Sequence, residues 1–457
     1  MDGQNGTDES RRAFFRRSGL ALLAGYAFDG RSGLAQTISR PDSDRYQSVT
    51  VKTHEWFGDI DERLDFPKDW QVDVISMAGQ KNPVLTDAQI LRKLRSPIGA
   101  KPIRELAAGK KNAVVTFDDL VRPTPIEPVA KQVVAELNAA GIDDDHILLL
   151  CALGSHMPIT SRDARAKLGE LYFRCPWMNH NVWDELTEVG TSSFGNRIEL
   201  DTYFHHADLR ILIGGLRDHH QACYGGGAKS IIPGVVSVAT IYHNHNVLCG
   251  LRGVSNPTVS RTSFTNNEMR TELLEAARMA RVDFSINIVY NGHREILDVF
   301  AGDVNDAWIE ACRYAVNTIC DEREVNTGEY DIVVSNSYPC SQQRMTSFGR
   351  PREGGVGVVI AQSPLTYAPL HYYNQARAYN SGNTWWDRYN RPRRGGNAQL
   401  VALSRYMPKT NIINYPDAKV LPAWDQVLAI LEPMFKGGAR VAVFPYQGIA
   451  HTPKTLV

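Results

Sequence analysis

Short apolar runs alternate with amphipathic segments along most of the chain, and this alternation restricts the fold more than any other feature. NAVVTF (112–117), HILLLCALG (146–154), ADLRILIGGL (207–216) and FSINIVY (284–290) are too short for helices and show no polar alternation. That is the pattern of parallel strands covered on both faces. Between the first two, IEPVAKQVVAELNAAG places Val129, Val133, Val134 and Leu137 on one helical face, with Gly141 as its C-terminal cap. MRTELLEAARMA (269–280) is a second amphipathic helix. YDIVVSN (330–336) and GGVGVVIAQ (354–362) predict strands of another α/β unit, with the helix DAWIEACRYAVNTIC (306–320) near the junction. A length of 457 residues suits two domains. The expectation is therefore an α/β protein of two domains with largely parallel sheets, residues 46–303 and 304–457, and an active site in the cleft between them. The aromatic, Asn-rich stretch 371–390 resists assignment.

The first 35 residues read differently. ESRRAFFRRSGLALLAGYAF carries Arg11-Arg12 ahead of an apolar run from Leu20 to Phe28. A basic start followed by a short apolar segment predicts a signal peptide, and the paired arginines predict the twin-arginine translocase and a periplasmic or other extracytoplasmic destination. The run is too short to span a bilayer, so no stable membrane insertion is expected. Lys+Arg and Asp+Glu balance at 50 each, which speaks against a nucleic-acid partner. The seven cysteines form no Cys-x-x-Cys pair and are odd in number, which speaks against a disulfide framework or a thiolate zinc site.

Ligands in open α/β sheets bind beyond the carboxyl ends of strands. Three predicted strands end in polar clusters: Asp118-Asp119 with Arg122, Ser155-His156, and Asp218-His219. Arg122 is placed to clamp a carboxylate. Downstream, CYGGGAKS brings Gly225, Gly226 and Gly227 close before Lys229, and IYHNHN adds His243 and His245. The glycines allow backbone amides to approach an anion. This is no nucleoside-triphosphate loop, because Ala228 precedes the lysine. By themselves the glycines are better read as a tight turn before SIIPGVVSVA. Five histidines (156, 219, 220, 243 and 245) fall in loops or at strand ends, where imidazole can ligate a metal or exchange protons near neutral pH.

FDDLVRPTP, CALGSHMP, LGELYF…NHN, VGTSSFG, GGLRDHHQACYGGGAKSIIPGV, IYHNHN and the long segment 269–303, in that order, make the chain similar to the nickel-pincer-nucleotide lactate racemase family, from about Ser48 to Gln362. The resemblance implies a racemase or epimerase of a small-molecule 2-hydroxy acid. It implies that Lys229 is tethered to the cofactor, the pyridinium-3-thioamide-5-thiocarboxylic acid mononucleotide holding nickel, with Gly225, Gly226 and Gly227 beside it. It implies His245 as the protein ligand of the nickel and His156 and His219 as the acid–base pair. Arg122 and the neighbouring Asp119 would position the substrate. The implied reaction is a transient oxidation, in which a histidine takes the hydroxyl proton and the cofactor takes hydride from Cα.

Several positions depart from the family pattern. Met157 follows His156 where arginine is usual, and Ser341 stands where lactate-type members carry an aspartate. Gly349 and Arg350 lie near the place of a substrate-binding lysine. A larger hydroxy acid or a sugar acid is therefore expected in place of lactate. Two alternatives are a non-catalytic exported protein that binds an organic acid and a zinc-dependent hydrolase. The second lacks a His-Glu-x-x-His helix.

Overall fold

The computed structural model describes residues 44–183, 186–249, 256, 258–341, 351–367, 399–407 and 417–456. The expected leader at 1–35, the stretch 371–390, Gly349 and Arg350 lie outside the described residues. Two six-stranded sheets organise residues 46–457. The first runs, in spatial order, Ile296–Gly302, Phe284–Tyr290, Leu209–Gly215, Ala113–Phe117, Ile147–Cys151 and Trp177–Asn179. Only the pairing of Phe284–Tyr290 with Ile296–Gly302 is antiparallel. The second sheet is wholly parallel, in the order Lys419–Leu421, Gln399–Leu403, Val356–Ile360, Ile332–Asn336, Arg440–Phe444 and Gln71–Val74.

Side chains alternate across the first sheet. Val115, Leu149, Ile211, Ile213 and Ile286 enter one apolar core, and Val114, Leu150 and Leu212 enter the core on the opposite face. Burial on both faces is why these runs carry no polar alternation. The predicted helices form at Glu127–Ala139, Glu268–Met279 and Asp306–Ala315. Gly141, at φ +95°, follows the first of them. The third ends five residues short of the expected Cys320, because Cys320 instead forms a bridge with His451 and Asp321 donates its amide to the His451 carbonyl.

The expected boundary at 303/304 does not separate the two sheets. Gln71–Val74 is the edge strand of the second sheet, paired with Arg440–Phe444. Val51, Leu64, Phe66 and Trp70, from the hairpin Tyr46–Thr53/Ile60–Pro67 and the turn after it, share a core with Val334, Val358 and Val443. The chain therefore begins its described course on the second sheet before it builds the first.

The loops that follow the strands' carboxyl ends join the two sheets. The Cys340 thiol donates to the Val121 carbonyl at 3.0 Å, and Arg217 Nη1 donates to Cys340 Sγ at 2.8 Å. Trp56 Nε1 donates to the Leu120 carbonyl at 3.1 Å. Among the described residues no helix is long and apolar enough to cross a membrane.

Candidate functional site

The strand Ala113–Phe117 delivers Asp118 and Asp119 into a loop that a buried lysine holds in shape. Lys167 Nζ donates to Asp118 Oδ1 at 2.6 Å and to the carbonyls of Arg122 and Thr124 at 2.7 and 3.0 Å. Asp119 accepts the Val121 amide on Oδ1 and faces His156 Nδ1 on Oδ2, at 2.5 Å. Burial would raise the Asp119 pKa, but His156 first, then Arg122 and Lys167, hold it down at about 2. An ionised carboxylate can only accept, so His156 donates from Nδ1, and Nε2 is its basic nitrogen. A cavity of about 370 Å³ meets His156, together with Leu153, Asn179, His180 and Trp183.

His219 has the opposite tautomer. It sits on the short hairpin Asp218–His219/Cys223–Tyr224, where its Nδ1 accepts the amides of Gln221 and Ala222 at 3.2 and 3.0 Å. The neutral ring therefore carries its proton on Nε2. Burial, followed by Lys229, His220, His245 and Arg217, holds its pKa well below the usual histidine range. Asp218 anchors the hairpin through Arg261 Nε at 2.9 Å and Lys454 Nζ at 2.8 Å. His220 stacks on His219, with ring centroids 5.0 Å apart, and is exposed to solvent.

Lys229 lies in the single 3₁₀ turn Gly227–Ser230. Gly226 and Gly227 enter it at φ +75° and +53°, a conformation that costs glycine little. The Gly225 carbonyl accepts the Trp308 indole N–H at 2.7 Å. The Lys229 amine is 3.4 Å from His245 Nε2. Burial, then Arg122, pushes its pKa down to about 7, so a large share of the amine is neutral and nucleophilic near neutral pH. His245 belongs to a π-helical turn, His243–Leu248, a rare geometry often found at functional sites. The turn separates the two histidines of IYHNHN: His245 meets Lys229, whereas His243 Nδ1 lies 3.7 Å from Glu272.

Lys229, His245 and His219 thus form one cluster, and Arg122 and Arg217 raise its positive charge. Arg122 has a buried Nη1 with no hydrogen-bond partner among the described residues. His156 is linked to this group through Asp119 and Arg122.

Lys167 and Glu55 are among the buried charges that the sequence did not reveal. Lys167 sits in SRDARAKL, which reads as a solvated helix. Glu55 sits in a loop without a motif, yet it is fully buried and accepts the Ser341 amide and hydroxyl at 2.8 and 3.0 Å. A carboxylate thus reaches the Ser341 turn from a segment nearly 300 residues earlier. Neither residue carries a sequence signal that would have revealed its burial.

The family model described as "Lactate racemase N-terminal domain" matches residues 57–253. A lactate racemase from Thermoanaerobacterium thermosaccharolyticum is 28% identical over 300 residues, covering 63% of this chain and 68% of that protein. A lactate racemase from Lactiplantibacillus plantarum is 28% identical over 298 residues, covering 63% and 69%. The structure of the lactate racemase apoprotein from T. thermosaccharolyticum superposes with a TM-score of 0.64 at 21% identity, over 88% of this chain and 99% of that one. A Thermotoga maritima protein gives a TM-score of 0.57 at 18% identity, over 80% and 97%.

Proposed function

From the membership of this chain in the lactate racemase family, we propose that it is an isomerase that racemises or epimerises a 2-hydroxy acid by transient oxidation at a nickel-pincer nucleotide. The observation that carries the reading is the approach of Lys229, its amine depressed to about 7, to His245 at 3.4 Å. A neutral amine suits a covalent tether, and an imidazole beside it suits a nickel ligand. Among the described residues no group of three or more His, Cys, Asp or Glu side chains is arranged to hold a metal ion. That donor set fits a metal whose other ligands come from the nucleotide, and it disfavours a zinc hydrolase, whose catalytic metal takes three protein ligands.

When bound, the group supplies the acceptor for the hydride that leaves the substrate's Cα. The chain's residues supply the rest. Arg122 clamps the substrate carboxylate, and Asp119 keeps His156 Nε2 basic toward the substrate hydroxyl. His219, neutral with its proton on Nε2, would donate a hydrogen bond from that nitrogen to the substrate oxygen. We place the substrate among larger hydroxy acids or sugar acids, since Ser341 is engaged by Glu55 where the family resemblance expects an aspartate. Protein from a host that makes the cofactor should show a covalent nickel-containing mass increment on Lys229 by intact and peptide mass spectrometry. An unmodified Lys229 in that host would overturn the reading.

We also propose that residues 1–35 direct export by the twin-arginine route. Arg11→Lys combined with Arg12→Lys should leave the protein in the cytoplasm on fractionation, and unchanged periplasmic recovery would refute this.

A further inference from the structure

Arg270 is 2% exposed, and none of its three guanidinium nitrogens has a hydrogen-bond partner among the described residues. It occupies the first turn of the helix Glu268–Met279, the end at which the helix dipole disfavours a cation. The acids of the same helix are committed elsewhere: Glu272 accepts from Ser192 and Asn244, and Glu268 accepts from Asn256. The nearby thiols of Cys223 and Cys312 are pushed up by burial, Cys223 to about 11, so they are neutral and offer no counter-charge. The guanidinium stacks on Trp308, 3.5 Å from the ring centroid, which returns only part of the hydration it has lost. The same indole bonds the Gly225 carbonyl, and Gly227 packs against its Cδ1 edge. Trp308 therefore joins a buried, unpartnered cation to the glycine turn that carries Lys229.

We propose that Arg270 and the Gly225–Lys229 turn form a binding site for a phosphate-type oxyanion, here the phosphate monoester of the mononucleotide. The identity of the ligand rests on the proposed function, whereas the anion site does not. A planar guanidinium offers paired donors to phosphate oxygens, and glycines let backbone amides come close to them. Arg270 thus finds in the ligand the counter-ion that the described residues do not supply.

The test uses the full chain purified without cofactor, with binding measured by calorimetry. The probes are nicotinate mononucleotide, nicotinate riboside and inorganic phosphate. The mononucleotide should bind more tightly than the riboside, and inorganic phosphate should compete with it. Arg270→Met should weaken mononucleotide binding about 10–100-fold, as loss of a charged hydrogen-bonding group does, and leave riboside binding unchanged. Arg270→Lys, which keeps the charge, should fall between. Equal affinity of the wild type for mononucleotide and riboside would overturn the site, and this comparison needs no variant to fold. Equal mononucleotide affinity in wild type and Arg270→Met would also overturn it. An absent Lys229 adduct with phosphate-dependent binding intact would sink the proposed function and leave this site standing.

Discussion

His156→Ala and His219→Ala should each suppress interconversion of the substrate's stereoisomers in both directions, by about 10²–10⁴ in rate. The two rings rest in complementary states. Asp119 fixes His156 with its proton on Nδ1, and the amides of Gln221 and Ala222 fix His219 with its proton on Nε2. In the proposed reaction His156 would take the hydroxyl proton at Nε2 and give it back when hydride returns to Cα, while His219, which stays neutral, would hold the substrate oxygen by a hydrogen bond from its Nε2–H. A complete interconversion then uses both, whichever isomer is supplied. Neither variant should lose nickel, because neither ring is the proposed ligand, whereas His245→Ala should lose it. His220→Ala is the internal control: its ring is exposed and stacks on His219, so its effect should be small. Chiral chromatography over a panel of 2-hydroxy and sugar acids, with nickel measured in each variant, reads all four. Full activity in His156→Ala and His219→Ala together would remove the mechanism.

Glu55→Gln should make the protein more stable at pH 8 by about 3 kcal/mol, with the gain vanishing near pH 4. Burial raises the Glu55 pKa from 4.5 to about 7, against the lowering effect of its bonds from Ser341. The folded state therefore binds a proton that the unfolded state has released between those values. Stability from this group is full below pH 4.5 and falls as the pH rises to 7, because ionising the buried carboxyl opposes folding. The gap between 4.5 and 7 corresponds to about 3 kcal/mol at roughly 1.4 kcal/mol per pH unit. Glutamine keeps an acceptor for Ser341 and never ionises. Urea denaturation of both proteins at about pH 4, 6 and 8 isolates the group, since the other titrating residues are common to both. A difference independent of pH would show that Glu55 does not titrate in this range.

The local character of the chain was legible in its sequence. Continuous apolar runs such as Ala113–Phe117 and Leu209–Gly215 became parallel strands, because a strand covered on both faces leaves no room for polar alternation. Polar residues just past those runs fell at the strands' carboxyl ends for the same reason. Pairing across the chain was not legible. Gln71–Val74 shows a weak, half-exposed pattern, and its partner Arg440–Phe444 lies far along the sequence, so its place in the second sheet is a property of the folded whole. Nor could the sequence separate His243 from His245 by chemistry; the π-helical turn does so by aiming one at Glu272 and the other at Lys229. Glu55, Lys167 and Arg270 look like surface residues in their own segments. Their burial is imposed by segments distant in sequence, and burial, more than residue type, decides which charges must find a partner and which await one.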